Sequence, residues 1–123
     1  MLLVEDNEIN QEVAKAILEE AGLVVDVAAD GLEAVSMASA DAYRLVLMDM
    51  QMPRMDGLEA TRAIRFVHPA GTLPVIAMTA NVFVEDRARC LAAGMDDFVS
   101  KPVDPGTLYS LLLAWLRKPR TAG

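Results

Sequence analysis

Acidic, hydroxyl and amine side chains stand at the ends of the short apolar runs of this sequence. Glu5 and Asp6 follow LLV, Asp49 ends LVLMD, Thr79 ends PVIAMT and Lys101 follows DFVS. Each residue alone has an ordinary explanation, because aspartate is common in turns and caps, and a strand-end threonine or a lysine before proline is usually structural or solvated. Three carboxylates held together repel one another unless a cation binds them, and carboxylate oxygens suit a hard ion such as Mg²⁺. The pattern therefore predicts a metal site, provided that the fold gathers these residues.

The apolar runs alternate with amphipathic stretches along the whole chain, which favours an α/β fold. Strands are predicted over 2–4, 24–28, 44–49, 74–80 and 97–100, and helices over 8–22, 30–40, 58–66, 85–94 and from 105 onward. Strands that are apolar on both faces belong to a parallel sheet covered by helices, and such sheets bind ligands beyond the carboxyl ends of their strands. The polar residues at the ends of the apolar runs are thus expected at one edge of the sheet.

Local patterns predict how three of the helices begin or face the core. In the first helix Ile9, Val13 and Ile17 recur at i, i+4 and i+8, the spacing that predicts a helix here. Asp30 is predicted to cap the second helix, and Asp104 to cap the last helix with a proline at its first position. The last helix carries an apolar core stripe of Leu108, Leu111, Leu112 and Trp115.

Composition excludes several classes of protein. The 123 residues suit one ordinary domain, and the net charge of -7 argues against a direct nucleic-acid partner, because such proteins carry clustered cations. The single cysteine, Cys90, cannot form an internal disulfide, and no apolar run approaches the roughly 20 residues of a membrane span. No membrane contact is expected for this domain, and without a recognisable signal peptide the predicted location is cytoplasmic.

Five separated motifs carry a family resemblance. LLVEDNEINQEVA, DGLEAV, LVLMDMQMPRMDGLEATRAIR, PVIAMTA and GMDDFVSKP resemble the receiver domain of two-component response regulators, most closely the receivers attached to hybrid sensor histidine kinases. The resemblance implies a flavodoxin-like receiver fold, with a five-stranded parallel sheet of order 2-1-3-4-5 and helices on both faces. We expect residues 1–118 to form this domain and residues 119–123 to form a C-terminal tail.

The same resemblance assigns roles to individual residues. Asp49 would be the phosphoacceptor, and Mg²⁺, with Mn²⁺ as a possible substitute, would be bound by Glu5, Asp6, Asp49 and the backbone carbonyl of Gln51. Glu5 stands where the family usually has aspartate, so that its extra methylene allows it to reach the metal through a water molecule.

Four further residues complete the set that the resemblance implies. Thr79 would bind a phosphoryl oxygen and Lys101 would pair with the phosphoryl charge. Thr79 and Phe98 would act as the conformational switch, and a cis peptide bond would join Lys101 to Pro102.

The resemblance also implies partners. The phosphoryl donor would be a histidine kinase or a histidine phosphotransfer domain. An output domain or a second copy of the chain would dock on the side formed by the fourth helix, the fifth strand and the fifth helix. Tyr109, Leu113 and Leu116 widen the apolar stripe of that last helix, which fits such a surface and equally fits a broad core stripe.

Particular residues argue against two alternative functions. A dehalogenase-type aspartyl-phosphate hydrolase needs a second acid two residues after its nucleophile, where this chain has Gln51. A pseudo-receiver that is never phosphorylated has little support, because Asp6, Asp49, Thr79 and Lys101 are all present. We therefore expect a domain that catalyses its own phosphorylation and dephosphorylation without being a turnover enzyme. It would belong to a hybrid sensor histidine kinase or be a stand-alone response regulator.

Gly57 is expected to adopt a backbone conformation that other residues resist, and His68 is expected to be solvated. The first strand begins almost at Met1 and RKPRTAG ends the chain without a second fold, so an isolated receiver or a piece excised from a longer protein is expected.

Overall fold

Strands and helices alternate throughout the part of the chain that the structure describes. The structure is a computed structural model that describes residues 1–40, 43–50, 57–68, 73–79, 84–100 and 104–117. The strands are β1 (Leu2–Val4), β2 (Asp26–Ala28), β3 (Val46–Asp49), β4 (Val75–Thr79) and β5 (Asp97–Ser100). The helices are α1 (Glu8–Glu20), α2 (Gly31–Ala40), α3 (Gly57–Val67), α4 (Val84–Ala93) and α5 (Pro105–Arg117). The α/β fold class predicted from the sequence is confirmed.

The five strands form one parallel sheet in the order β2-β1-β3-β4-β5, which the resemblance implied. β1 lies between β2 and β3, and in this register Val4 is beside Met48 and Asp49 is beside Met78. We call the edge at which all strands end the carboxyl edge, and the edge at which they begin the amino edge. The last residues of β1, β3, β4 and β5 therefore lie along the carboxyl edge, together with the residues that directly follow β1.

Successive strand residues supply two separate cores, one on each face of the sheet. Leu2 and Val4 belong to a buried cluster with Ile64 of α3, whereas Leu3 belongs to a second cluster with Leu108 of α5. Burying a side chain of this size contributes about 1.5 to 3 kcal/mol relative to leaving it exposed. The strands are apolar on both faces because each face is covered by helices.

Asp30 and Asp104 cap helices as predicted. The Oδ1 atom of Asp30 accepts a hydrogen bond from the backbone N–H of Glu33 at 2.9 Å, and the Oδ2 atom of Asp104 accepts one from the N–H of Thr107 at 2.9 Å. The hydrogen bonds from Thr107 hold the pKa of Asp104 below its ordinary value. Because α2 and α5 begin shortly after β2 and β5, these caps also fix the chain near the carboxyl edge.

The buried face of α1 is not the apolar stripe whose spacing predicted the helix. Ile9 is 72% exposed and Val13 is 56% exposed, whereas Leu18 is fully buried and Ala14 and Ile17 pack against the core. The helix carries two overlapping apolar stripes, and only one can face the sheet. Ile17 lies at the boundary between them, so the spacing of the first stripe predicted the helix correctly but does not mark the face that packs against the sheet.

β2 is shorter than predicted, because it begins at Asp26 and not at residue 24. Val24 is exposed, and its carbonyl accepts a hydrogen bond from the amino group of Met1 at 2.7 Å. Burial lowers the pKa of that amino group. Sheet pairing starts only when the N–H of Asp26 reaches the carbonyl of Met1 at 3.0 Å.

An arginine ties α3 to the amino edge. Arg65 donates hydrogen bonds to the carbonyls of Leu73 at 2.6 Å and Gly94 at 2.7 and 2.8 Å, and its guanidinium pairs with Asp96 at 2.7 Å. The same Asp96 oxygen accepts the N–H of Val75 at 2.8 Å. We call Arg65, Leu73, Gly94 and Asp96 the arginine clamp. It joins the last turn of α3 to the starts of β4 and β5.

Gly94 follows α4, which ends at Ala93, close to where the sequence predicted the end of that helix. Its φ of 104° lies in the left-handed region that favours glycine, and an added Cβ would lie 2.9 Å from the Cγ of Arg65. A side chain here would therefore strain the backbone and push the clamp apart.

The expectation that His68 is solvated is wrong. The Nε2 atom of His68 lies 2.7 Å from the carbonyl oxygen of Ala38, which indicates a hydrogen bond with the proton on Nε2. The carbonyl of His68 also accepts a hydrogen bond from Arg65 at 3.3 Å. His68 thus joins the end of α3 to α2.

Helix length bears on membrane insertion. α1 and α5 have 13 residues each, and a helix needs about 20 apolar residues to cross a bilayer. None of the helices in the described ranges is long and apolar enough to do so.

Candidate functional site

Three carboxylates meet at the carboxyl edge, where the neighbouring strands β1 and β3 end. Glu5 and Asp6 directly follow β1, and Asp49 is the last residue of β3. Each offers a carboxylate oxygen, and these three oxygens all lie within 4.8 Å of one another. Glu5 and Asp49 are only 2% and 3% exposed, whereas Asp6 is exposed. The structure thus brings together three of the residues that the sequence predicted for a metal site, which we call the acid cluster.

The backbone at Glu5 is held from two sides. Its N–H donates to the carbonyl of Ala28 at the end of β2 at 3.0 Å. Its carbonyl accepts a hydrogen bond from the Nε2 atom of Gln11 at 2.6 Å. Gln11 was not predicted as a site residue, because a side-chain amide that reaches back six positions to a carbonyl leaves no periodic signal in a sequence.

Asn7 connects the acid cluster to α1. The Oδ1 atom of Asn7 accepts hydrogen bonds from the N–H groups of Ile9 at 2.9 Å and Asn10 at 3.1 Å, which caps the helix. The N–H of Asn7 lies 3.3 Å from the Oε1 atom of Glu5. We call residues 5–7 the acidic turn. It is a short connection between a buried strand and a capped helix.

Gly57 allows α3 to begin against the backbone of Asp49. A Cβ at this position would lie 2.6 Å from the carbonyl oxygen of Asp49 and 3.0 Å from the Cα of Met50. The N–H of Gly57 donates to the carbonyl of Met50 at 3.3 Å, and the N–H of Met50 donates to Met78 in β4 at 3.1 Å. The need for glycine is therefore a close approach of two backbones, and Gly57 is not among the glycines with a positive φ.

Thr79 and Phe98 lie on the two strands beyond β3. Thr79 is the last residue of β4, is half-buried and pairs with Ser100 in the sheet. Phe98 in β5 is half-buried and packs against the same core cluster as Met50 and Ala77. Thr79 thus lies at the carboxyl edge, whereas Phe98 pairs with Ala77 in the middle of β4, and the switch role of the two residues stays a prediction.

Three of the predicted site residues, Gln51, Lys101 and Pro102, lie outside the described residues. The carbonyl ligand at Gln51, the pairing of Lys101 with a phosphoryl group and the cis peptide bond at Pro102 therefore stay predictions.

Among the residues whose side chains the structure describes, the side formed by α4, β5 and α5 exposes two leucines. Leu91 on α4 and Leu113 on α5 are exposed. Leu116 packs against the core, and the hydroxyl of Tyr109 donates to the carbonyl of Ile17 in α1 at 2.7 Å. Two of the three residues that widened the apolar stripe of the last helix thus make contacts inside the chain, and Leu113 faces outward.

The acid cluster fits a magnesium ion. Octahedral Mg²⁺ has bonds of about 2.1 Å, which places its ligand oxygens roughly 3 to 4.2 Å apart. Oxygens within 4.8 Å of one another need only a small movement to reach that geometry. Two ionised carboxylates at such a distance repel by about 3.5 kcal/mol at the effective dielectric constant near a protein surface. A hard divalent cation would remove this repulsion.

Known proteins match this chain over nearly its whole length. Residues 1–113 match the response regulator receiver domain. Histidine kinase 5 of Arabidopsis thaliana is 39% identical over 94% of this chain, and the aerobic respiration control sensor protein ArcB of Escherichia coli is 43% identical over 91%. The chain spans only 15% and 14% of the lengths of these two proteins.

Solved structures share the fold of this chain, and one of them contains magnesium. The receiver domain of a Pseudomonas aeruginosa sensor histidine kinase, crystallised with magnesium in its active site cleft, is 43% identical with a TM-score of 0.88, over 95% of this chain and 96% of that one. The receiver domain of a Saccharomyces cerevisiae response regulator, crystallised with a histidine phosphotransfer protein, is 29% identical with a TM-score of 0.86, over 93% and 86% of the two chains. From its motifs, its sheet order and these matches, the chain belongs to the response regulator receiver domain family of two-component phosphorelay signalling.

Proposed function

We propose that this chain accepts a phosphoryl group on Asp49 in a magnesium-dependent reaction and relays the signal by a change of conformation. The observation that carries the proposal is the acid cluster, in which three carboxylate oxygens lie within 4.8 Å of one another at the carboxyl edge. Asp49 suits the role of nucleophile because it ends a central, fully buried strand and its backbone is fixed against Gly57. The other two acids differ from Asp49 in their surroundings. Asp6 is exposed, and an oxygen of Glu5 lies 3.3 Å from the N–H of Asn7.

The transfer itself needs a positioned carboxylate more than covalent help from other residues. An oxygen of Asp49 attacks the phosphorus atom of a phosphohistidine, a P–O bond forms and the P–N bond breaks. The electron pair of that bond returns to the imidazole, which takes a proton from solvent. Bound magnesium would supply positive charge to the phosphoryl oxygens during this step.

Charge explains why the site needs cations once phosphorylation has occurred. The phosphate on Asp49 would carry about -2 beside the carboxylates of Glu5 and Asp6. We propose that Glu5, Asp6, Asp49 and the backbone carbonyl of Gln51 hold Mg²⁺, for which Mn²⁺ can substitute.

The phosphoryl group would be read out by residues beyond β3. In the proposal Lys101 pairs with the phosphoryl charge and the hydroxyl of Thr79 binds a phosphoryl oxygen. Phe98 then turns further inward and alters the surface around α4. The peptide bond before Pro102 is proposed to be cis.

The phosphoryl donor is proposed to be a histidine kinase or a histidine phosphotransfer domain. Such a partner must bring its histidine to the carboxyl edge, and the exposed side chains of Ile9 and Val13 lie on α1, which begins two residues after Asp6. Leu91 and Leu113 support a separate contact with an output domain or a second copy on the side formed by α4, β5 and α5.

The place of the domain in a larger protein is also a proposal. Residues 1–118 would form the receiver and 119–123 a tail, located in the cytoplasm. The parent would be a hybrid sensor histidine kinase or a stand-alone response regulator. The domain would catalyse its own phosphorylation and dephosphorylation without acting as a turnover enzyme.

The test is phosphorylation by a small donor. Incubated with Mg²⁺ and acetyl phosphate, the chain should gain one acid-stable, base-labile phosphoryl group, measured by intact mass. Asp49→Asn should abolish the gain, and Asp6→Ala should nearly abolish it by removing a metal ligand. Lys101→Ala should keep magnesium binding and slow the reaction. The same samples compared by hydrogen exchange should show changed protection in α4.

Other outcomes separate the alternatives. Continuous turnover of the donor would indicate a dehalogenase-type hydrolase, and no modification at any donor concentration would indicate a pseudo-receiver. Full labelling of the Asp49→Asn variant would show that the acceptor is another residue. Protection changes confined to residues 5–7 and 49–50 would refute the conformational relay.

A further inference from the structure

We propose that Gln11 is a positioning residue for the metal site, because its side-chain amide holds the acidic turn in the place where Glu5 and Asp6 face Asp49. The proposal rests on the proposed function in one respect, since it concerns the metal that phosphorylation requires. Gln11 belongs to α1, one turn beyond the cap at Asn7, and is half-buried.

The hydrogen bond of Gln11 acts on the backbone between Glu5 and Asp6. The Nε2 atom of Gln11 lies 2.6 Å from the carbonyl oxygen of Glu5. That carbonyl belongs to the peptide unit that joins Glu5 to Asp6, and a peptide unit is planar. Fixing its oxygen therefore fixes the direction in which the chain leaves Glu5 and enters Asp6, the two acids that follow β1.

The neighbouring contacts hold other parts of the turn. The N–H of Glu5 is bound to Ala28 at 3.0 Å, which fixes the peptide unit before Glu5. The N–H of Asn7 lies 3.3 Å from the Oε1 atom of Glu5, a longer contact to the side chain. The Oδ1 atom of Asn7 is used in capping α1. Gln11, in contrast, donates its hydrogen bond to the peptide unit between the two proposed ligands.

A restraint is needed there because the acid cluster opposes its own assembly. Before a cation binds, like charges on Glu5, Asp6 and Asp49 push the acidic turn away from β3. A turn that is free to move away would have to be brought back when the metal binds, and the apparent affinity would fall in proportion to the fraction of molecules in the binding arrangement. Gln11 would keep that fraction high in the metal-free protein.

The first test is magnesium affinity without any phosphodonor. Gln11→Met keeps the length and helix propensity of the side chain and removes the donor. Magnesium binding measured by NMR titration should weaken about two- to tenfold, the range expected for the loss of one hydrogen bond. Asn10→Met is the matched control, because Asn10 is an exposed amide on the same helix, and its affinity should equal that of the unmodified chain.

A second readout distinguishes positioning from a general loss of stability. In metal-free Gln11→Met, amide exchange should accelerate at residues 5–7 and stay unchanged in β3 and β4. Adding Asp6→Asn, which removes one of the repelling charges, should reduce that acceleration. Equal magnesium affinity in Gln11→Met and the unmodified chain would overturn the proposal, and so would exchange that accelerates equally throughout the sheet.

The outcome is separable from that of the proposed function. If the unmodified chain binds Mg²⁺ with the predicted dependence on Gln11 but is never phosphorylated, the positioning role stands and the phosphoacceptor role of Asp49 fails. If phosphorylation occurs and Gln11→Met binds magnesium normally, the reverse holds.

Discussion

The two edges of the sheet use carboxylates in opposite ways. At the amino edge Asp96 is matched by the guanidinium of Arg65 at 2.7 Å and by the N–H of Val75 at 2.8 Å. At the carboxyl edge Glu5, Asp6 and Asp49 crowd three acidic groups within 4.8 Å. The amino edge therefore pairs its acid within the chain, whereas the proposed function requires a cation to neutralise the acids of the carboxyl edge.

α3 joins these two environments. Its first residue, Gly57, lies so close to Asp49 that a Cβ would be 2.6 Å from the carbonyl oxygen of that acid. Its last turn carries Arg65, whose Cγ would lie 2.9 Å from a Cβ on Gly94. One helix thus packs against the acid cluster at one end and the arginine clamp at the other, and variants at the two ends should have different consequences.

The largest effect on stability is expected at the amino edge. Arg65→Met keeps the apolar stem but removes the guanidinium, so Asp96 loses its cationic partner and the carbonyls of Leu73 and Gly94 lose the donor that Arg65 supplies. Both charged side chains are largely buried, at 11% and 19% exposure. The free energy of unfolding, measured by urea denaturation, should fall by about 2 to 4 kcal/mol. Arg62→Met, at an exposed position of the same helix, should change it by no more than about 0.5 kcal/mol. Equal losses in the two variants would contradict the role of the clamp.

The carboxyl edge should respond to magnesium. At a concentration of about ten times its Kd, Mg²⁺ should raise the free energy of unfolding by about 1.4 kcal/mol, because it binds only the folded state. Asp6→Asn should lose most of this increase, measured by urea denaturation with and without the metal. Arg65→Met should keep it, since the clamp is at the opposite edge. An increase that survives in Asp6→Asn would place the metal elsewhere.

The smallest effect is expected at Asp104, an exposed single acid between β5 and α5. Hydrogen bonds from Thr107 hold its pKa below the ordinary value of 3.8. A lowered folded pKa means that the charged cap stabilises the fold fully above 3.8 and loses this contribution as the pH falls through the folded pKa. Asp104→Asn keeps a capping side chain that does not titrate. The stability difference between the two chains should therefore disappear in acid, and a difference that is constant from neutral to acidic pH would contradict the account.

The residues that the sequence predicted best are those governed by general rules for the ends of strands and helices. Asp6 and Asp49 could be placed together because parallel strands share a carboxyl edge, and Asp30 and Asp104 because caps have a local signature. The buried face of α1 could not be chosen, since Val13 and Leu18 both lie on apolar stripes and only packing against the sheet decides between them.

Side-chain contacts between different elements were missed for a different reason. Arg65 and Asp96 are 31 positions apart, and their charges are ordinary for a helix end and a loop. Gln11 resembles any polar residue of an amphipathic helix until the carbonyl of Glu5 is placed beside it. These contacts depend on tertiary distances, which a single sequence does not contain.

The central claim is that Asp49, among the three carboxylates of the acid cluster, forms the acyl phosphate. The direct measurement is to phosphorylate the chain with Mg²⁺ and acetyl phosphate, reduce the acyl phosphate with borohydride to its alcohol, and locate the reduced residue by peptide sequencing. We expect the reduced residue at Asp49 alone, dependent on Mg²⁺. Reduction at Glu5 or Asp6, or equal labelling without Mg²⁺, would contradict the account.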